Sequence, residues 1–86
     1  MQQTAISIDN AELDFESARD IALKIAGKEN PDPFLISWCD KKNNIHSPAS
    51  VKCEIKGKPG WEVYGENHGG RLRISINSDE YVFIYG

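Results

Sequence analysis

Arg71-Leu72-Arg73-Ile74-Ser75-Ile76-Asn77 and Tyr81-Val82-Phe83-Ile84-Tyr85 decide how this chain folds. The first run alternates polar and apolar residues without error, so a strand there sends Leu72, Ile74 and Ile76 to one face of a sheet and Arg71, Arg73 and Ser75 to the other. The second run is apolar at every position, with Val82 and Ile84 on one side and Tyr81, Phe83 and Tyr85 on the other. The link through Asn77-Ser78-Asp79 is short and turn-forming, and the two runs read as a β-hairpin.

Upstream, Phe15, Ala18, Ile21, Ala22 and Ile25 recur with the period of a helix. Asp14 is suited to cap its start, and Gly27 followed by Asn30-Pro31-Asp32-Pro33 to end it. Acids in the first turn and Lys24 and Lys28 near the end agree with the helix dipole. Residues 1–13 read as an N-terminal arm or a short strand, with Ala5-Ile6-Ser7-Ile8 compatible with either. Phe34–Cys39 reads as a buried strand and Asp40–Ser50 as a polar loop. Val51, Cys53 and Ile55 alternate with Lys52, Glu54 and Lys56 as a further strand. Lys58-Pro59-Gly60-Trp61 suits a type II turn, and Trp61-Glu62-Val63-Tyr64 another strand. The expectation is a single domain over 1–86, of class α+β. One N-terminal helix (14–27) packs on an antiparallel sheet of about five strands within 34–85, mostly a meander. Val51, Ile55 and Val63 are expected to join Leu72, Ile74 and Ile76 beneath the helix.

The chain has 86 residues and a net charge of −3. At this length a domain buries roughly 60% of the surface its unfolded chain exposes, which leaves one modest core. The acidic balance argues against general nucleic-acid binding, which calls for a basic excess. No apolar run approaches the length of a membrane span, and Met-Gln-Gln-Thr-Ala lacks the features of a signal peptide, so a cytoplasmic location is expected. Cys39 and Cys53 form neither a C-x-x-C motif nor a disulfide framework, and read as free thiols.

A single helix covers one face of a sheet. The apolar residues on the other side of Tyr81–Tyr85 therefore need arginine stems, a second layer, or another copy of the chain over them. A homodimer through the outer face or an edge strand follows as one expectation. Aromatics beside Arg71 and Arg73 also resemble a stacking surface for single strands, but no basic-Gly-aromatic-Gly-aromatic motif is present.

Chemistry-bearing residues gather in two loops: Asp40, Lys41 and His46 in the first, and Glu66, Asn67, His68 and Arg71 at or beside the second. The zinc-ligand spacings are missing, so no metal and no cofactor is implied. His68-Gly69-Gly70 is not followed by a nucleophile elbow anywhere in the chain. Gly65–Arg71 has the glycines and the cation of an anion-binding loop, though not those of a P-loop, and Glu66 opposes it.

Leu35-Ile36-Ser37-Trp38-Cys39-Asp40-Lys41, His46-Ser47-Pro48, Pro59–Gly65, His68-Gly69-Gly70 and Glu80–Tyr85 together resemble a family of short, single-domain prokaryotic proteins. The family is frequent in anaerobic bacteria and archaea and has no assigned activity. Trp38, Asp40, His46, Ser47, Tyr64, Gly69 and Gly70 match its pattern, whereas Cys39 stands where the family usually has an aromatic. The resemblance implies that a shared site, if one exists, lies at the matching positions. The combined expectation is a small binding or interaction module without catalytic activity. It would act through loops 40–50 and 65–71 on an unidentified small ligand or protein, with Trp38, Asp40, His46, Ser47, Tyr64, His68, Gly69, Gly70 and Arg71 as candidate site residues. The alternative is a small metal-dependent or hydrolytic enzyme built from Asp40, His46, His68 and Arg71.

Overall fold

The alternation of the closing hairpin is realised position by position. The computed structural model describes residues 1–9, 12–51 and 54–86. Its elements run β1 (Gln2–Ile6), α1 (Phe15–Glu29), β2 (Leu35–Asp40), β3 (Ile45–Ser47), β4 (Glu54–Ile55), β5 (Lys58–Pro59), α2 (Gly60–Asn67), β6 (Leu72–Ile76) and β7 (Tyr81–Tyr85). Leu72 faces Tyr85, Ile74 faces Phe83 and Ile76 faces Tyr81 across β6 and β7. These six residues are buried against Ala18, Ala22 and Ala26 of α1. Three alanines at i, i+4 and i+8 let the helix lie close over the bulky strand residues, as a packed interior requires.

The five strands of the main sheet are ordered β1-β6-β7-β2-β3. All pairs are antiparallel except β1 with β6, which is parallel. The fold is α+β, one main helix on a mostly antiparallel sheet of five strands. The N-terminal residues are therefore a strand, at the sheet edge. Asn77 extends this pairing beyond the last β1 residue. Its backbone N–H reaches the Ile6 carbonyl at 2.9 Å, and its side-chain amide accepts from Ile8 N–H at 2.7 Å and donates to Ile8 O at 3.1 Å. Asn77, Ser78 and Asp79 all have positive φ (56°, 54° and 69°), a conformation in which asparagine and aspartate are enriched. Asn77→Gly keeps that backbone while deleting the amide. It is expected to cost about 1–2 kcal/mol and to speed hydrogen exchange in β1 more than in β7. Equal effects on the two strands would refute this role.

Helix α1 starts where Asp14 accepts from Ser17 N–H at 2.8 Å, a side-chain N-cap. It ends at Glu29 rather than at Gly27, with Asn30 N–H closing on Ala26 O at 2.9 Å.

Four further expectations are corrected. Trp61–Tyr64 is helical, not a strand, and Lys58-Pro59 pairs with β4 instead of forming the first half of a turn. Pro59 cannot extend that pairing as a donor. It stands at the helix N-cap, where its missing N–H costs nothing, and Glu62 in the first turn suits the dipole. Asp40–Ser50 is not wholly a loop, because Ile45–Ser47 pairs with β2. Val51 packs with Cys39, Trp61, Val82 and Ile84 on the face opposite α1, so it does not join Leu72, Ile74 and Ile76. Lys52 and Cys53, expected in the same strand as Val51, lie outside the described residues. The second layer is thus α2, which covers Val82 and Ile84. Tyr81, Phe83 and Tyr85 are the residues beneath α1.

Among the described residues, no helix is long and apolar enough to cross a membrane.

Candidate functional site

Strand β7 separates the two loops expected to form one site. Lys41 N–H bonds Glu80 O at 3.0 Å at one end of it, and Arg71 N–H bonds Tyr85 O at 2.8 Å at the other. Five residue steps of strand, from Glu80 to Tyr85, put about 17 Å between those ends. Asp40 and His46 therefore lie at the far end of the sheet from His68 and Arg71, and these four residues form no single constellation. Among the described residues, no group of three or more histidine, cysteine, aspartate or glutamate side chains is arranged to hold a metal ion.

At the first end, Asp40 is fully buried and occupied with local structure. Its carboxylate accepts from the backbone N–H of Asn43 at 3.1 Å and from the Asn43 amide at 2.7 Å, which closes the turn into β3. Trp38, two residues earlier, faces α1 with its ring 4.4 Å from that of Phe15. Ser47 is its cross-strand neighbour. His46 lies opposite Cys39, and its Nδ1 meets the Pro48 carbonyl at 3.1 Å. Because a carbonyl only accepts, Nδ1–H is the donor in that bond. Cys39, His46 and Trp61 line a cleft of about 260 Å³. Burial pushes the Cys39 thiol above its ordinary range, which keeps the sulfur protonated and poorly nucleophilic beside that histidine.

At the second end, Tyr64 lies in the last turn of α2 and His68 caps its C-terminus four residues on. Their rings stack at 3.8 Å and 16°, and His68 Nδ1–H donates to Tyr64 O at 2.8 Å. Gly69 adopts a φ of +89° that favours glycine. Gly70 N–H closes on Gly65 O at 2.9 Å, and the chain then enters β6. Arg71 is exposed there, with no ion pair among the described residues. It opens on a cleft of about 250 Å³ shared with Gln2, Glu29, Asn30, Leu72 and Tyr85. Burial raises the Tyr85 hydroxyl above its ordinary range, and the charges nearest to it are Arg19 and Asp20 of α1.

Gln2, Asn30 and Tyr85 were not anticipated as neighbours of Arg71. Gln2 is 69 positions away and reaches it only through the parallel β1–β6 pairing, for which the sequence carries no local signal. Arg73, by contrast, is committed internally. Its Nε donates to Glu62 at 2.6 Å and its two terminal nitrogens to Asp79 at 3.3 Å each. Burial opposes the Arg73 charge, but the hydrogen bonds to Asp79 and Glu62 outweigh it and hold the guanidinium above its ordinary value. Arg73 is thus not the free cation that a stacking surface for single strands would need.

With this geometry in hand, likeness to other proteins decides the family. Residues 1–85 match the family model described as a domain of unknown function, DUF5619. The chain belongs to that family. An uncharacterised protein of the archaeon Archaeoglobus fulgidus is 38% identical over 72 residues, spanning 84% of this chain and 75% of its own length. The crystal structure of a novel protein from the same species aligns with a TM-score of 0.83 at 31% identity, over 100% of this chain and 93% of that one. The family's function is unassigned, as the resemblance read from Trp38, Asp40, His46 and the glycine loop implied.

Proposed function

We propose that this domain is a binding module for a small carboxylate-bearing molecule, seated in the cleft beside Arg71. One observation carries the reading: Arg71, which has no acidic partner among the described residues, opens on a cleft that Gln2, Asn30 and Tyr85 also line. Few but convergent polar groups in a mostly preformed cleft are the usual make-up of a ligand site. The guanidinium fork fits a carboxylate or phosphate, and Glu29 on the same cleft suits an ammonium group on the same ligand. Ala26, Pro33 and Leu72 supply the apolar wall. An amino-acid-like zwitterion combines these features. A second copy of the chain remains part of the reading, through a strand edge or through the part of the outer face over β1 and β6; α2 covers that face over β2 and β7.

The test is an NMR titration with amino acids, simple mono- and dicarboxylates and inorganic phosphate. Saturable shifts are expected at Gln2, Asn30, Arg71 and Tyr85. Arg71→Ala is expected to weaken binding about 10- to 100-fold, the worth of one charge-assisted hydrogen bond, and Arg71→Lys by less. The absence of saturable shifts for every probe at roughly 10 mM, a concentration where even a ligand bound by only about 4 kcal/mol occupies its site, would defeat the proposal.

A further inference from the structure

The two edges of the main sheet are not alike. Strand β3 is three residues long, is followed by Pro48, and lies just after Lys41 and Lys42. Short length, proline and lysine are the devices that keep edge strands from pairing with other chains. Strand β1 (Gln2-Gln3-Thr4-Ala5-Ile6) has none of them. It is five residues long and carries no charge, proline or bulge, and its register with β6 is unbroken.

The backbone directions of β1 follow from two bonds. Gln2 N–H donates to Arg71 O, and Ile6 O accepts from Asn77 N–H, each at 2.9 Å. In a parallel pair alternate residues bond the same neighbour, so the groups of Gln2, Thr4 and Ile6 point to β6. Those of Gln3 and Ala5 point away from the sheet.

We infer that this edge pairs with β1 of a second copy of the chain, antiparallel and centred on Thr4, joining two five-stranded sheets into one. In that register Gln3 lies opposite the partner's Ala5, and Ala5 opposite the partner's Gln3. Each pair exchanges both of its free backbone hydrogen bonds, the arrangement of a hydrogen-bonded antiparallel pair. The contact is the same from both sides, as a two-fold interface demands. Thr4 meets the partner's Thr4, a favourable cross-strand pair, and each glutamine meets a small or aliphatic residue. The strand itself is uncharged, so apposing two copies brings no like charges together across the pair. This inference does not depend on the ligand reading: the two share Gln2, but the Arg71 side chain takes no part in the outward backbone bonds of Gln3 and Ala5.

Analytical ultracentrifugation from about 10 µM to 1 mM tests it. One strand pair buries less than the roughly 1,600 Å² of a standard interface, so the wild-type mass is expected to rise towards twice 9.6 kDa only in the upper part of that range. Ala5→Pro removes an outward N–H and leaves every β1–β6 bond in place, and it should hold the chain at the monomer mass with its melting curve preserved. Ala5→Lys, which places two like charges near each other, should do the same if the proline variant folds poorly. A wild-type chain still monomeric at 1 mM overturns the inference and leaves the edge to a foreign strand. A dimer that survives both folded variants overturns it in favour of another surface. Loss of ligand binding in Arg71→Ala with dimerisation unchanged, or the reverse in Ala5→Pro, separates this inference from the proposed function.

Discussion

Arg73→Met is expected to destabilise the domain by about 2–4 kcal/mol at neutral pH, with a melting temperature lower by roughly 10–25 °C. The guanidinium bridges α2 and the β6–β7 turn, with Glu62 on one side and Asp79 on the other. The Arg73 and Glu62 side chains are only 13% and 17% exposed. Removing the cation leaves the Glu62 carboxylate largely out of water without a counter-charge, and that unpaired charge dominates the cost. Asp79, 38% exposed, keeps water and the Ser75 hydroxyl as partners. Replacing all three groups with neutral partners (Arg73→Met, Glu62→Gln, Asp79→Asn) should restore most of the loss. A urea titration of the single and triple variants checks both parts. A single-variant loss below about 0.5 kcal/mol would mean that the network behaves as an exposed surface pair.

The same network predicts a pH dependence. The Ser75 hydroxyl, bonded at 2.5 Å, and then the Arg73 guanidinium hold the Asp79 carboxyl below its ordinary value near 3.8, against the effect of burial. A carboxyl with a lower value in the folded state than in the unfolded one adds stability that is complete above the unfolded value. That stability is lost as pH falls through the folded one. Stability should therefore drop as the solution is acidified below about pH 4, the ordinary carboxylate range, and Asp79→Asn should flatten that drop.

Gly70→Ala is expected to cost about 2–3 kcal/mol, although alanine suits the local backbone. A Cβ there would stand 2.6 Å from Gly65 O and 2.8 Å from Ile84 Cγ2. Gly65 O is the acceptor that closes the end of α2 through Gly70 N–H at 2.9 Å and His68 N–H at 3.4 Å, so relief of the clash breaks those bonds. Backbone cannot rotate aside as a side chain can. Gly65→Ala should cost less. Its Cβ meets Ile84 Cδ1 at 2.7 Å and Ser37 Oγ at 2.8 Å, side-chain atoms that can shift, and alanine gains up to about 1 kcal/mol of helix propensity. Gly69→Ala, in open space but at φ +89°, should cost about 1 kcal/mol from strain alone. Thermal melts of the three variants should rank Gly70→Ala as the least stable. Equal losses at Gly70 and Gly69 would assign the whole effect to conformation.

Legibility followed the range of the interaction. The hairpin 72–85 and the helix after Asp14 could be read because period, cap and turn residues lie within a few positions of one another. Trp61–Tyr64 misled because tryptophan, valine and tyrosine favour strands locally. Their helix is stabilised by Trp61 and Gly65, one turn apart, buried on Cys39, Val82 and Ile84, contacts no local window contains. The candidate site divides the same way. Gly69, Gly70 and Arg71 were visible as a glycine loop with a cation. Gln2, Asn30 and Tyr85, which complete its cleft, come from three other places in the chain.

By itself, the order of residues determined the class of fold, the identity of the closing hairpin, the capped helix, and the segregation of Leu72, Ile74 and Ile76 to one face. Those features follow from steric periods and hydrogen-bonding side chains that act over one or two turns. Only the tertiary structure decided that the first strand joins β6 in parallel, that the second face is roofed by α2, and that the two polar loops lie at opposite ends. Each of these depends on pairing segments far apart in the chain, and the energy of such pairing resides in the complementary surfaces that folding brings into contact.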